Sequence, residues 1–208
     1  VAETYPINHP SGNIDAVKFV ARSVVAVSES PFSYSQQVYK HQGQRWEADI
    51  RLTPMKREDA EAWASFLLRL RGRYGTFLLG DPNCSTPRGS AATTPGTPVV
   101  NGASQTGETL NIDGCPASAT GYLKAGDYIQ LGSSATAQLY KVLEDVDTNA
   151  SGEATLNIFP NLRSSPSDNA SVTVSNARGL FRLVSNETSW DINNAQFYGI
   201  TFGAVEAL

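Results

Sequence analysis

Apolar and polar residues alternate in short runs along the first fifty positions. Val24 to Val27, Phe32 to Tyr39 and Arg45 to Leu52 each read as a strand, because a period of two sends successive side chains to opposite faces of a sheet. In the third run Trp46, Ala48, Ile50 and Leu52 share one face and Arg45, Glu47, Asp49 and Arg51 the other, which predicts a sheet with a dry side and a wet side. His41-Gln42-Gly43-Gln44 has turn composition, so the three runs are expected to form an antiparallel meander.

The period then changes. Ala60, Trp63, Ala64, Leu67, Leu70 and Arg71 recur at three- and four-residue spacing, while Arg57, Glu58, Glu61 and Arg69 take the opposite side, which predicts one amphipathic helix over about residues 54–71. Thr53 is the expected N-cap and Pro54 the first helical residue, with Gly72 as the stop. Glu58 and Asp59 suit the positive end of the helix dipole, and Arg69 and Arg71 the negative end. Thr76 to Leu79 supplies a further strand, completing a β-β-β-α-β unit.

Residues 83–105 are dominated by Ser, Thr, Pro, Gly and Ala, the composition of a long polar arm. Beyond it, short strand patterns recur at Thr109 to Ile112, Asp127 to Leu131, Gln138 to Leu143, Ala154 to Ile158 and Ala170 to Val174, the spacing of a small β-barrel or sandwich. Leu180 to Val184, Thr188 to Ile192 and Phe197 to Phe202 resume the longer alternation of the beginning. They are expected to rejoin the first sheet, since a terminal strand without one would leave its backbone groups unpaired.

The chain of 208 residues is long enough for a substantial core, and its net charge of −4 lacks the dense positive surface that phosphate neutralisation requires, so no nucleic-acid binding is expected. The longest apolar runs are strand-sized, far short of the roughly 20 residues that span a bilayer, so no membrane insertion is expected. The start, Val1-Ala2-Glu3-Thr4-Tyr5-Pro6, has neither a basic n-region nor an apolar h-region, and no signal peptide is expected there. Cys84 and Cys115 lie in loop-like segments without zinc or disulfide spacing and are read as free thiols in a reducing cytoplasm.

Catalytic equipment is sparse. The two histidines, His9 and His41, sit in polar, turn-like settings and read as surface residues. Glu58/Asp59 are accounted for by the helix start and Glu144/Asp145/Asp147 by a solvated strand end, while Asp81-Pro82 reads as a strand terminator. Trp46 and Trp63 fall on buried faces, and Trp190 stands between Ser189 and Asp191 on an alternating strand. No catalytic, cofactor-binding or metal-binding residue is assigned, no cofactor is expected and the chain is not read as an enzyme. Abundant pairing strands, a polar arm and no reactive centre suit an assembly subunit, with the strand near Phe32 to Tyr39 and the arm after Pro82 as elements for strand addition between copies.

Leu52-Thr53-Pro54-Met55 leading to Phe66-Leu67-Leu68-Arg69-Leu70-Arg71-Gly72, followed by Tyr74-Gly75-Thr76-Phe77-Leu78-Leu79-Gly80-Asp81-Pro82, resembles the distal tail, or tail-tip hub, proteins of long-tailed siphophages. Gly126 to Leu131 and Leu156 to Arg163 are similar to small β-domains of virion proteins. Lys56 stands where a Ser or Thr cap would be expected. The resemblance implies a mainly β protein: a β-sandwich or split-barrel core with one packed α-helix, made from residues 1–82 and 176–208, interrupted at 83–175 by the polar arm and a small β-barrel-like domain. It further implies a virion structural protein, made in the host cytoplasm and placed at the tail tip. There it would form a ring, usually of six copies, that links the tail tube protein to the tip hub protein and supports fibres or receptor-binding proteins. The N-terminal segment Tyr5 to Ile14 and the polar arm are the pieces expected to be freest for ring contacts. The alternative is a carbohydrate-binding module or receptor-binding accessory, with Tyr122, Tyr128 or Tyr140 of the inserted domain meeting the sugar.

Overall fold

The structure, a computed structural model, describes residues 3–208; Val1 and Ala2 of the start discussed above lie outside the described residues. The described residues are mainly β, with one α-helix and two antiparallel sheets.

The first sheet begins with a long hairpin of β1 (Ile14–Glu29) and β2 (Gln36–Leu52). The second and third predicted strands are therefore one strand, and His41–Gln44 is not a turn. It is an irregularity inside β2, where pairing passes from Ser23 opposite Gln44 to Val25 opposite Lys40, so the surplus residues of one strand bulge without ending the ladder. The chain reverses instead at residues 30–35, where Ser30 N–H donates to Ser35 O at 2.9 Å and Tyr34 takes a positive φ of 55°. The dry face is as the alternation predicts: Trp46, Ala48, Ile50 and Leu52 are all buried.

Helix α1 (Arg57–Arg69) starts later than the sequence suggests. Thr53 and Met55 are held by the sheet: Thr53 N–H donates to Asn13 O at 2.9 Å, and Met55 exchanges backbone bonds with Tyr198 at 3.1 and 2.8 Å. Ladder bonds thus extend the chain through Pro54, and Lys56 becomes an N-cap whose side chain caps nothing. Ala60, Trp63, Ala64, Phe66, Leu67 and Leu70 form the buried stripe. Arg71 is exposed and lies past the helix end with φ 51°, so Phe66 takes the place expected of it.

Glycines of the resemblance segment have packing reasons. A Cβ on Gly75 would meet Tyr5 Cε1 at 2.5 Å and Leu70 O at 2.7 Å, and one on Gly80 would collide with the Ala177 carbonyl. These close approaches bring β3 (Phe77–Leu79) against its neighbours. Later in the chain, β10 (Gly179–Leu183), β11 (Trp190–Ile192) and β12 (Tyr198–Glu206) return to this sheet, whose order is β1-β2-β12-β10-β3 with β11 also on β12.

The second sheet contains β4 (Val99–Val100), β5 (Thr109–Asp113), β6 (Tyr128–Leu131), β7 (Gln138–Val142), β8 (Ala154–Phe159) and β9 (Val172–Thr173), in the order β4-β5-β8-β7-β6-β9. Val99 bridges Ser171, and Val172 N–H donates to Pro98 O at 2.9 Å, so the last strand meets the first and the sheet nearly closes into a barrel. Its interior is a separate cluster that includes Leu110, Ile112, Tyr122, Ile129, Tyr140, Val142, Leu156 and Ile158. The polar stretch 83–105 is not an arm free along its length: Ala91 and Val100 are buried in this barrel, and β4 is one of its staves.

Two sheets do not mean two unconnected bodies. Tyr128 and Leu139 of the barrel belong to the hydrophobic cluster of the first sheet, and Phe159 packs against it. Trp46 is central to this junction, with its ring edge-on to Phe159 at 5.1 Å and its Nε1–H donating to Leu139 O at 3.1 Å.

Candidate assembly surfaces

The outer half of the β1–β2 hairpin stands away from the sheet. Strand β12 covers β2 only from Glu47 to Arg51, and every residue from Ala21 to Glu29 and from Pro31 to Gly43 is exposed. Val27 faces Val38 across the hairpin, Val25 lies two residues along on the same face, and Tyr39 opposes Ala26 on the other. Val27 and Val38 are 57% and 62% exposed and Phe32 at the tip 96%, so this apolar surface is fully wet. Among the described residues the outer edge of β1 pairs with nothing over its 16 residues. A long, apolar, uncapped edge is what monomeric sheet proteins avoid.

At the root of the hairpin Arg22 lies directly opposite Arg45, an arrangement of like charges that costs stability unless compensated. Glu47 compensates it. Its carboxylate accepts from Arg22 Nε at 2.7 Å and Nη2 at 2.9 Å and from Arg45 Nη2 at 2.7 Å, and these bonds hold its pKa down to about 2.

A second cluster locks this root to the barrel. Asn161 N–H donates to Gln44 Oε1 at 2.7 Å, while the Arg163 guanidinium bonds both Gln44 O and the Glu206 carboxylate. Glu206 also accepts from Trp46 N–H at 3.0 Å. Burial pushes the Glu206 pKa up, against the pull of Arg163 and the Trp46 amide. Lys40 and Glu108 add an exposed ion pair between hairpin and barrel. Glu206 did not stand out in the sequence. The available signal was register: Glu206 follows Ile200, Phe202 and Ala204 on the inward parity of β12, and a carboxylate on a core face calls for a cation.

The residues considered for chemistry are dispersed. His9 is not a free surface histidine: its ring stacks on Trp63 with centroids 5.8 Å apart and 14° between planes. The N-terminal segment is docked on its own fold and is not a free arm, with Tyr5 O–H donating to Arg69 O at 2.7 Å, Ile7 buried and Ile7 bridging Phe77. His41 lies exposed in the β2 irregularity. Glu58 and Asp59 occupy the first turn of α1. Asp145 accepts from Lys124 Nζ and Ala125 N–H at 2.9 Å each, Asp147 from Gly121 N–H at 2.5 Å, and Glu144 is exposed, so this acidic group spends two of its members on loop backbone. Asp81 Oδ1 accepts from Asn83 N–H at 2.9 Å, a turn contact.

Tyr122, Tyr128 and Tyr140 are all buried, which overturns their assignment as a sugar platform. Tyr122 and Tyr140 lie in the barrel's own cluster and Tyr128 in that of the first sheet, and Tyr122 O–H donates to Pro95 O at 2.7 Å and Tyr140 O–H to Gln138 Oε1 at 2.6 Å. Trp190 remains half-exposed on β11, beside exposed Ile192 and Phe197. Cys84 and Cys115 are free thiols, and burial raises the pKa of each, which favours the protonated form. Among the described residues no group of three or more His, Cys, Asp or Glu is placed to hold a metal ion, and no helix is long and apolar enough to cross a membrane.

Residues 85–177, a segment that contains every strand of the barrel, match the family model described as the B domain of distal tail protein pb9. No curated protein matches the chain.

Proposed function

We infer that this chain, a distal tail protein of a long-tailed phage by its B domain at 85–177, assembles into a ring at the distal end of the tail tube. As a structural protein of the phage tail it does its work by geometry, with no turnover. Residues 1–82 and 176–208 make the ring-forming core, and 83–175 make an insertion that faces outward. The ring, of six copies on the family pattern, continues the tube and hands over to the tip hub protein, with fibre or receptor-binding proteins attached around it. The protein is made in the host cytoplasm and resides in the virion.

One observation carries the assembly reading: a B-domain chain also exposes a long hairpin whose valines and outer edge are covered by nothing in its own fold. Stable closed rings need head-to-tail contacts, and a projecting strand pair supplies one half of such a contact. Mass measurement during size-exclusion chromatography, with negative-stain imaging, tests this. A ring is expected, alone or beside tube and hub proteins. A strict monomer under all those conditions, or a labelled particle carrying the subunit elsewhere than the tail tip, overturns it.

A further inference from the structure

We propose that Asn101 and Gly102, in the loop between β4 and β5, are a self-modifying pair: the Gly102 nitrogen attacks the Asn101 side-chain amide while the Asp168 carboxylate takes the nitrogen's proton. This chemistry belongs to the barrel and does not depend on the ring.

The dipeptide is singular. Among the asparagines of the chain, Asn101 alone is followed by glycine. Gly102 carries no Cβ beside the attacking nitrogen, takes a φ of 90° that L side chains rarely adopt, and has nothing within 4 Å of where a Cβ would stand. Approach of the amide to the nitrogen is therefore unobstructed.

Three neighbours supply what the reaction needs. Gly102 N–H donates to Asp168 Oδ1 at 2.8 Å, so its proton already points at a base. Asp168 is brought there by the barrel itself, since Asn169 N–H donates to Val100 O at 2.9 Å and holds that loop against the end of β4. Gln105 Nε2 donates to Asn101 O at 2.8 Å, on the carbonyl of the same peptide bond, which polarises the bond and favours loss of the proton from its nitrogen. Asn101 Nδ2 makes one hydrogen bond among the described residues, to Glu153 Oε1 at 3.5 Å, so the amide is lightly held and free to turn. Asn101 and Gly102 are half-buried, within reach of water.

The step is a cyclisation followed by hydrolysis. The bond from Gly102 N to Asn101 Cγ forms, the Cγ–Nδ2 bond breaks, and Nδ2 leaves as ammonia with the proton that Asp168 accepted. Water then opens the five-membered imide at either carbonyl, leaving aspartate or isoaspartate at 101; nothing is oxidised or reduced. The product is a new carboxylate beside Glu153, in a cleft of about 330 Å³ that Asp147 also lines. A bond between the β4–β5 and β7–β8 loops thus becomes a repulsion.

The test incubates the full chain at pH 6, where hydroxide is scarce, and follows the peptide around Asn101 by mass spectrometry, with isoaspartate identified by fragmentation. The folded wild type is expected to be modified faster than the same chain unfolded in urea. Asp168→Asn keeps an oxygen that accepts the bond but removes the base, and is expected to slow the folded protein by about 100-fold, the low end of what a positioned base supplies. Asp168 is exposed, and a thermal melt matching the wild type checks that the variant folds. At pH 9, where hydroxide removes the proton, the two folded proteins are expected to converge. A folded wild type modified more slowly than the unfolded chain means that the loop protects Asn101, and overturns the proposal without any variant. A folded Asp168→Asn protein as fast as the wild type at pH 6 overturns the role of the carboxylate.

Discussion

At the scale of residues, two carboxylates respond to acid in opposite directions. Glu47 is held at about 2 against an ordinary 4.5, so its contribution is present above 4.5 and is lost as pH falls from there toward 2. Its arginine partners are about half exposed, and solvent screening limits that contribution to about 1 kcal/mol. Glu47→Gln is therefore expected to lower the urea-derived stability by about 1 kcal/mol at pH 7 and by almost nothing near pH 2. An equal deficit at both pH values would show that the carboxylate's charge is not what steadies the paired arginines. Glu206 is the reverse case: burial raises its folded pKa above the unfolded value, so its contribution is fully present below 4.5 and is lost as pH rises through the folded value. Arg163→Ala leaves this buried carboxylate unpaired, at a cost of about 3–5 kcal/mol at neutral pH. Part of that loss should return on acidification, as Glu206 takes up a proton; denaturation curves at pH 7 and just below 4.5, each compared with the wild type, measure it.

Among the elements, α1 shows how far local signals reach. Its stripe was legible because Trp63, Ala64 and Leu67 repeat at helical spacing, but its start was not, because Thr53-Pro54 is a good cap sequence that the sheet claims first through Met55 and Tyr198. The helix consequently begins uncapped at Lys56, whose φ of −72° and ψ of 164° suit a capping residue. Lys56→Ser is expected to stabilise the protein by about 0.5–2 kcal/mol, seen as a higher urea midpoint at unchanged slope. The barrel strands were equally legible, since β5 to β8 fall within a residue or so of their alternating runs. The hairpin was misread as a meander because Gln42-Gly43-Gln44 has turn composition, and no local rule says that a long partner strand will carry the chain through it as a bulge. The exposed hairpin was legible only in part: the run near Phe32 to Tyr39 reads as an element for strand addition, but Val25 and Val27 look like core residues in sequence, and their exposure follows from where β12 stops. Replacing residues 27–38 by Asn-Gly, which closes a two-residue hairpin between Ala26 and Tyr39, removes no buried side chain. The shortened protein should keep its monomer fold by circular dichroism while losing assembly. Retained rings would move the ring contact elsewhere.

The molecule as a whole is held together across its two sheets, and Trp46 is where that coupling concentrates. The barrel has its own cluster around Leu110, Tyr140 and Ile158, enough to order a small closed sheet, yet it lends Tyr128 and Leu139 to the other core. Gly179 marks how close the two come, since a Cβ there would meet Leu139 Cβ at 2.9 Å. Leu180 N–H donates to Ala137 O at 3.0 Å beside it, and the Gln44, Arg163 and Glu206 cluster closes the far side. With apolar, backbone and ionic contacts all crossing the junction, unfolding of either part exposes surface of the other, so the wild type should melt in one cooperative step. Trp46→Ala removes the largest shared side chain, orphans the Leu139 carbonyl and leaves a cavity, a change of about 3–5 kcal/mol. Most of that loss falls on the first sheet, because the barrel keeps its own cluster intact. The variant is therefore expected to unfold in two steps by calorimetry, with the later step belonging to the barrel and insensitive to a second change such as Leu67→Ala in the helix. If the variant instead melts in a single shifted transition, the barrel draws its stability from the rest of the sheet system, and a force applied to the insertion would be transmitted undiminished to the β1–β2 hairpin.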